Sequence, residues 1–437
     1  MKRIVVVGAG AAGIIAAWKA ASAGANVTLL EKKERIGFKI LISGGGKCNI
    51  THDGDIPKLL GCFRRNEADF LRPSFHAFTN ADIRRLIESK GVELTVREDG
   101  RVFPLSSTAK GVTAALESLL SDAGVELRTL AVVSELQRSE RDGWILSVSP
   151  PKGADPSGNS SFRIHSDAVI LCTGGLSYPG TGSTGDGWKW LAEMGHAIVK
   201  PRAALAPIFL DIVPPSGWAG IALRKVVLKA RQNSKEIARS RGDMLFTHRG
   251  VSGPAVLDIS RVVAEMRHFG PIELFADLAP DSGYEKLKEL TMDWIRQHTK
   301  RSLNDYVVNY APMRVAEDIL EKSGITEKCG AQITREQRNR LIETIKGYRI
   351  GSVQHVPMEK GEVTAGGVDL GEVNPRTMES RLIRGLYLCG EILDIAGPVG
   401  GYNLQAAFST GYVAGMSAAS GDSSDHSDRT DPTNPTD

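Results

Sequence analysis

The sequence predicts an α/β protein in which a Rossmann-like nucleotide domain is interrupted by an inserted β and helical region and then completed by the C-terminal stretch. Three observations carry this. A glycine fingerprint opens the chain between two strand-like runs, the texture changes beyond residue 200, and glycine-rich α/β texture returns at 363–415.

The opening comes first. The run Ile4-Val5-Val6-Val7 leads into Gly8-Ala9-Gly10-Ala11-Ala12-Gly13, and a second run, Asn26-Val27-Thr28-Leu29-Leu30, ends in Glu31 and Lys32. This is the dinucleotide fingerprint with its parts in order. Gly8 allows a tight turn off the strand, Gly10 lets backbone approach a pyrophosphate, and Gly13 lets the helix lie close to the sheet. Ala11 and Ala12 open that helix, whose free N–H groups and positive dipole end face the phosphates. Glu31 is placed to accept hydrogen bonds from ribose hydroxyls.

Further along, Ser43-Gly44-Gly45-Gly46-Lys47-Cys48-Asn49 forms a glycine-rich loop able to wrap a pyrophosphate or a cofactor edge, with Lys47 near anionic oxygen. It lacks the GK[ST] pattern of a Walker loop. Cys48 has no second cysteine nearby, which favours packing over redox work. Residues 81–90 and 110–123 read as amphipathic helices, 125–149 as consecutive strands, and 150–161 as a hydrophilic hairpin tip. The buried run Ala168-Val169-Ile170-Leu171 ends in Cys172-Thr173-Gly174-Gly175, and Asp186 follows within a small polar loop at 181–187.

Residues 205–275 alternate apolar and polar positions, predicting a small β domain, and 284–346 are charged and helix-periodic, with Leu287, Leu290 and Trp294 on one face. The expected division is a discontinuous cofactor domain at 1–198 and 358–420, a β domain at 199–278 and 347–357, a helical subdomain at 279–346, and a disordered tail at 421–437. Within the insert, His248 could act as an acid or base and Arg249 could clamp a carboxylate, while Thr364 stands in a backbone-exposing turn near the return. His355 is a weaker candidate.

The return carries Gly385-Leu386-Tyr387-Leu388-Cys389-Gly390-Glu391 and then Gly400-Gly401-Tyr402-Asn403-Leu404. Asn403 is a candidate N-cap for a helix lined with Ala and Gly, whose positive end would stabilise charge on whatever the glycine turn cradles.

Composition sets limits. The 437 residues carry 54 Lys and Arg against 51 Asp and Glu, a net charge of +3. With no basic stripe interleaved with aromatics, nucleic-acid binding is not expected. Five scattered cysteines without a CxxC pair argue for a reducing, cytoplasmic setting and against a zinc site. No run of eighteen apolar residues suggests a membrane span. The segment after Met1-Lys2-Arg3 reads as a first strand, because the glycine fingerprint interrupts any signal-peptide core.

Taken together, the strings at 8–13, 43–49, 182–187, 245–254, 364–368 and 389–405 resemble the bacterial NAD(P)/FAD-dependent, aminoacetone-oxidase-like flavoproteins, which are distantly similar to fumarate reductase and L-aspartate oxidase flavoproteins. One departure is Phe38, where the family usually carries a basic residue before Lys39. The resemblance implies a two-dinucleotide-binding FAD domain with an inserted β-barrel-like plus helical domain, Glu391 in place of the usual Asp that meets the ribityl chain, and a Thr-Gly turn closing on the adenine side. It implies FAD and an oxidoreductase that passes a hydride via flavin N5 between NAD(P)H or substrate and a small organic substrate, with an activated C=C bond among the candidates. A redox-neutral hydratase or isomerase holding FAD as a scaffold is the alternative. No second complete fingerprint exists, so a nicotinamide would visit the same face transiently. The sequence leaves the oligomeric state open.

Overall fold

The computed structural model describes residues 1–106, 108–139, 143–151, 161–326 and 332–420. The tail at 421–437, most of the hairpin tip at 150–161, and Cys329 lie outside the described residues.

The β-branched and leucine-rich runs found in the sequence become a parallel five-stranded sheet in the order Leu386–Leu388, Ala168–Leu171, Arg3–Val7, Asn26–Leu30, Glu126–Arg128. Ile4 to Val7 pair with Ala168 to Leu171 on one side and with Val27 to Leu30 on the other. Both faces of these strands are covered, so they read as continuous apolar runs. The strand from the far C-terminal part of the chain thus completes the first domain.

Its following helix, Tyr402–Ser420, lies against the fingerprint helix Ala11–Ser22. Glycines set that closeness. A Cβ on Gly411 would stand 2.3 Å from the carbonyl oxygen of Ala12, and one on Gly415 2.3 Å from that of Ala16.

The insert is a closed antiparallel barrel of six strands: Ile208–Leu210, Gly250–Ser252, Lys235–Phe246, Ala222–Gln232, Glu273–Asp277 and Tyr348–His355. Barrel residues such as Leu228 and Met244 share one core with Val256 and Ile259 of the helix Pro254–Met266 and with Ile319, Leu341 and Ile345 of the helical region. One expectation there changes. Leu290 is 39% exposed, and Thr291 takes the buried place beside Leu287, its hydroxyl bonded to the Leu287 carbonyl and to the Tyr306 hydroxyl.

Between the two cores run the strands Ile198–Ala204 and Val363–Val368, paired antiparallel. A small apolar cluster of Ala204, Leu205, Val363, Ala365 and Ala396 marks this junction, with Leu257 and Val399 against it. Among the described residues, no helix is long and apolar enough to cross a membrane.

Candidate cofactor and substrate cavity

A cavity of 720 Å³ runs from the fingerprint to the helix that leaves the barrel. That volume is in the range of small-molecule and cofactor sites. At its fingerprint end the three glycines do different jobs. A Cβ on Gly8 would stand 2.6 Å from the carbonyl oxygen of Cys172, and one on Gly13 only 1.8 Å from that of Gly8. These two glycines are required by packing. A Cβ on Gly10 would meet no protein atom within 4 Å, and Gly10 lines the cavity. Its missing side chain leaves room for a ligand, beside the free N–H groups of the helix start.

Glu31 ends the second strand in a buried position. One carboxylate oxygen accepts from the Ala9 amide at 2.8 Å and the other from the Lys33 amide at 2.9 Å. Burial pushes its pKa up, and these two hydrogen bonds partly counter that. Lys32 reaches across to Asp186 at 2.7 Å and to the Thr184 hydroxyl, closing the same end. Ala131, Val132 and Val133, with Trp190, Thr173 and Gly174, complete the wall.

The middle of the cavity is built on the segment Phe38–Gly46, a helix broken where Ser43 turns extended and Gly44 and Gly45 take positive φ. The break places Ser43, Gly44, Gly45, Lys47 and Asn49 on the cavity wall. Asn49 bridges this turn to the return segment. Its amide oxygen accepts from the Gly401 N–H at 2.9 Å and its amino group donates to the Thr51 carbonyl at 3.1 Å. Lys39 donates to Glu391 and to the Ser177 hydroxyl, both at 2.6 Å, and Ser177 donates to Glu391 at 2.7 Å. The Thr364 amide gives the same carboxylate a further bond at 2.8 Å.

The far end is formed by the insert and the return. Leu205, Pro254 and Leu257 line the cavity together with Gly400, Gly401, Asn403 and Leu404, and Tyr178, Glu362 and Gly390 are also on its walls. Arg97 stacks on Phe103, 4.0 Å from the ring centre, along another side.

Some candidates do other work than their chemistry suggested, and some lie off the cavity. Asn403 is inside the helix Tyr402–Ser420 and does not cap it. Its oxygen accepts from the Gly397 amide at 2.8 Å and its amino group donates to the Gly397 carbonyl at 2.9 Å, clamping the preceding loop. Gln405 N–H donates to Gly401, so Gly401 starts the helix. Cys48 is fully buried with its thiol pushed up to about 12, and it does not reach the cavity. Tyr402 stacks on His52 with ring centres 4.7 Å apart, behind the wall. Gly175 sits against Thr364, whose hydroxyl accepts from the amides of Leu176 and Ser177; Thr364 is fully buried. His248 and Arg249 are exposed on a barrel turn away from the cavity, and Arg249 stacks on Phe209 at 4.2 Å. The residues that sequence reasoning missed are backbone and apolar positions, Ala131 to Val133, Leu205, Pro254 and Leu257, which carry no local signal, and Glu362, one acid among many.

The fingerprint, the glycine turn and the return segment on one cavity are matched by comparison. The HI0933-like protein Rossmann domain pattern matches residues 2–417. The chain belongs to the HI0933-like family. A 3-dehydro-bile acid delta(4,6)-reductase of Clostridium scindens is 31% identical over 423 residues, 96% of this chain and 99% of the relative. A ribosomal RNA dihydrouridine synthase of Haemophilus influenzae is 30% identical over 420 residues, 94% of this chain and 97% of the relative. Among solved structures, 3-ketosteroid delta1-dehydrogenase of Sterolibacterium denitrificans shares the fold at a TM-score of 0.51 and 12% identity, covering 97% of this chain and 100% of that one. The protein is an enzyme of the flavoprotein oxidoreductase class.

Proposed function

We propose that this enzyme binds FAD in the cavity and reduces a carbon–carbon double bond conjugated to a carbonyl group, with NAD(P)H as a transient electron donor. The observation that carries the reading is the single cavity joining the nucleotide fingerprint to an apolar wall from the insert. The residues present fit FAD. Gly10 leaves space where a pyrophosphate would lie, Glu31 is placed for ribose hydroxyls, and the Lys39–Glu391–Ser177 network stands by the return segment. FAD, when bound, supplies the hydride. The chain does the rest. The helix start and Gly10 hold the phosphates, the broken segment Phe38–Gly46 and the Gly400–Gly401 turn flank the middle of the site, and Leu205, Pro254 and Leu257 exclude water from the far end. The relatives' names support the choice of reaction, since a delta(4,6)-reductase and a dihydrouridine synthase both name loss of a conjugated double bond.

Whether the unsaturated ring is a free small molecule or is carried on RNA is a second question. Overall charge favours a small molecule. For RNA stands the outer row of the barrel, where Arg239, Lys229, Phe275 and Arg349 are directly paired across four strands and Arg231 stacks on Phe275 at 5.1 Å.

Anaerobic mixing with NADH and NADPH tests the proposal. The flavin absorbance is expected to bleach and to return on addition of a conjugated carbonyl compound. A flavin that no donor reduces, or a colourless protein that cannot be reconstituted with FAD, would refute it.

A further inference from the structure

We infer that Glu362 is the catalytic acid of this enzyme, giving its proton to the carbon next to the substrate carbonyl. The inference deepens the reading of the reaction given above and rests on it.

Among the described residues, four acidic side chains line the cavity: Glu31, Asp186, Glu362 and Glu391. Three are already engaged. Glu31 holds the Ala9 and Lys33 amides, Asp186 holds Lys32, and Glu391 holds Lys39, Ser177 and the Thr364 amide. Glu362 has no such partner in the described structure, and only its backbone is tied, its N–H donating to the Leu205 carbonyl at 3.1 Å. It stands just before the strand Val363–Val368, whose six residues are all buried, yet it is itself exposed and lines the cavity. Its chain neighbour Val363 and its backbone partner Leu205 belong to the junction cluster packed against Leu257, so the residue stands where that junction meets the cavity, with Lys39 of the broken segment near enough to act on its charge.

The surroundings suit a proton donor. Burial pushes the Glu362 carboxyl up, and the Lys39 ammonium opposes this only in part. Tyr178 is the other titratable group whose charge state Glu362 touches. Its phenol is pushed up by burial and then by the Glu362 charge. Tyr178 is held in the left-handed backbone region at φ 49° and ψ 63°, a conformation unfavourable for a bulky residue and common where a site fixes a side chain. A carboxyl on the cavity wall with no hydrogen-bonding partner among the described residues is free to meet a substrate, as a general acid must.

The step balances. The C=C π bond breaks, the carbon β to the carbonyl takes hydride with its electron pair from the reduced cofactor, and the α carbon takes H⁺ from Glu362. The substrate is reduced by two electrons, the cofactor is oxidised by two, and the Glu362 carboxylate recovers its proton from solvent.

The test uses dithionite-reduced holoenzyme mixed anaerobically with cyclohex-2-enone, a 4-en-3-oxosteroid or uridine. Glu362→Gln is expected to slow reoxidation of the flavin by about 10²- to 10⁴-fold, the usual worth of a positioned acid, while FAD retention and reduction by donor stay within twofold of wild type, on the order of ordinary surface-variant scatter. Glu362→Asp is expected to fall between the two. A second readout needs no turnover. The infrared difference between wild type and E362Q is expected to show a protonated carboxyl persisting above the usual glutamate range of about 4.3. Reoxidation of E362Q at the wild-type rate, or a Glu362 carboxyl already ionised in the ordinary range, overturns the assignment and leaves the reaction intact. A wild-type enzyme that no conjugated carbonyl compound reoxidises overturns the reaction itself, and the acid with it.

Discussion

Replacing Gly10 by Val separates binding from folding at the fingerprint. Gly10 has φ −80° and ψ −171°, an extended conformation any residue adopts, and a new Cβ there meets no protein atom within 4 Å. Folding should therefore change little. Losing glycine at the N-cap position costs a few tenths of a kcal/mol to about 1, and the reduced freedom of the unfolded chain returns about 0.4–1 kcal/mol. The net effect on the cofactor-free protein is expected within about 1 kcal/mol, a Tm change of at most a few degrees. The side chain instead fills space on the cavity wall. Overfilling a packed site costs about 1–3 kcal/mol, which weakens FAD binding by roughly 5- to 150-fold. Fluorescence titration of cofactor-free protein with FAD, alongside its thermal melt, measures both quantities. Unchanged FAD affinity, or an apoprotein that melts many degrees earlier, would refute the division of labour among the three glycines.

Other consequences follow from the same geometry. Gly411→Val puts atoms where a Cβ already stands 2.3 Å from the Ala12 carbonyl, so the C-terminal helix must move off the fingerprint helix; a loss of about 1–3 kcal/mol and a lower Tm are expected by calorimetry. Lys39→Met strands the Glu391 carboxylate, at a cost of about 1–3 kcal/mol, and adding Glu391→Gln should restore most of it in a double-mutant cycle of urea midpoints. His248→Ala and Arg249→Ala alter an exposed turn off the cavity and are expected to leave kcat/KM within about twofold; Arg249→Ala alone should cost up to about 1 kcal/mol of stability through its lost stacking on Phe209.

Much of the nucleotide half was legible because local chemistry and long-range structure agree there. The runs at 4–7 and 26–30 are strands, the helix between them begins at Ala11, and Glu31 stands at the end of the second strand. The amphipathic patterns at 81–90 and 110–123 are the helices Asn80–Glu88 and Ala109–Asp122. The alternation beyond residue 205 is a closed barrel, although nothing local announces closure, which depends on Tyr348–His355 pairing with Ile208–Leu210 across the helical region.

What was not legible depends on partners distant in sequence. Asn403 has N-cap chemistry, yet its amide is drawn to Gly397, six residues back in the loop. Leu290 fits an apolar stripe, yet the Tyr306 hydroxyl favours the neighbouring Thr291 at the buried position. His248 has an imidazole able to serve acid–base chemistry but sits exposed on a barrel turn, whereas Glu362 looks like an ordinary acid until the fold brings it to the junction of the two cores.

The central claim is that the cavity adds a hydride and a proton across a conjugated double bond. Turnover of cyclohex-2-enone in D₂O with unlabelled NADH or NADPH, followed by NMR of the product, tests it most directly. The expected product is a saturated ketone with a newly added solvent deuteron at the α carbon and unlabelled hydrogen from the donor at the β carbon. A product at the starting oxidation level, hydrated or isomerised, would contradict it.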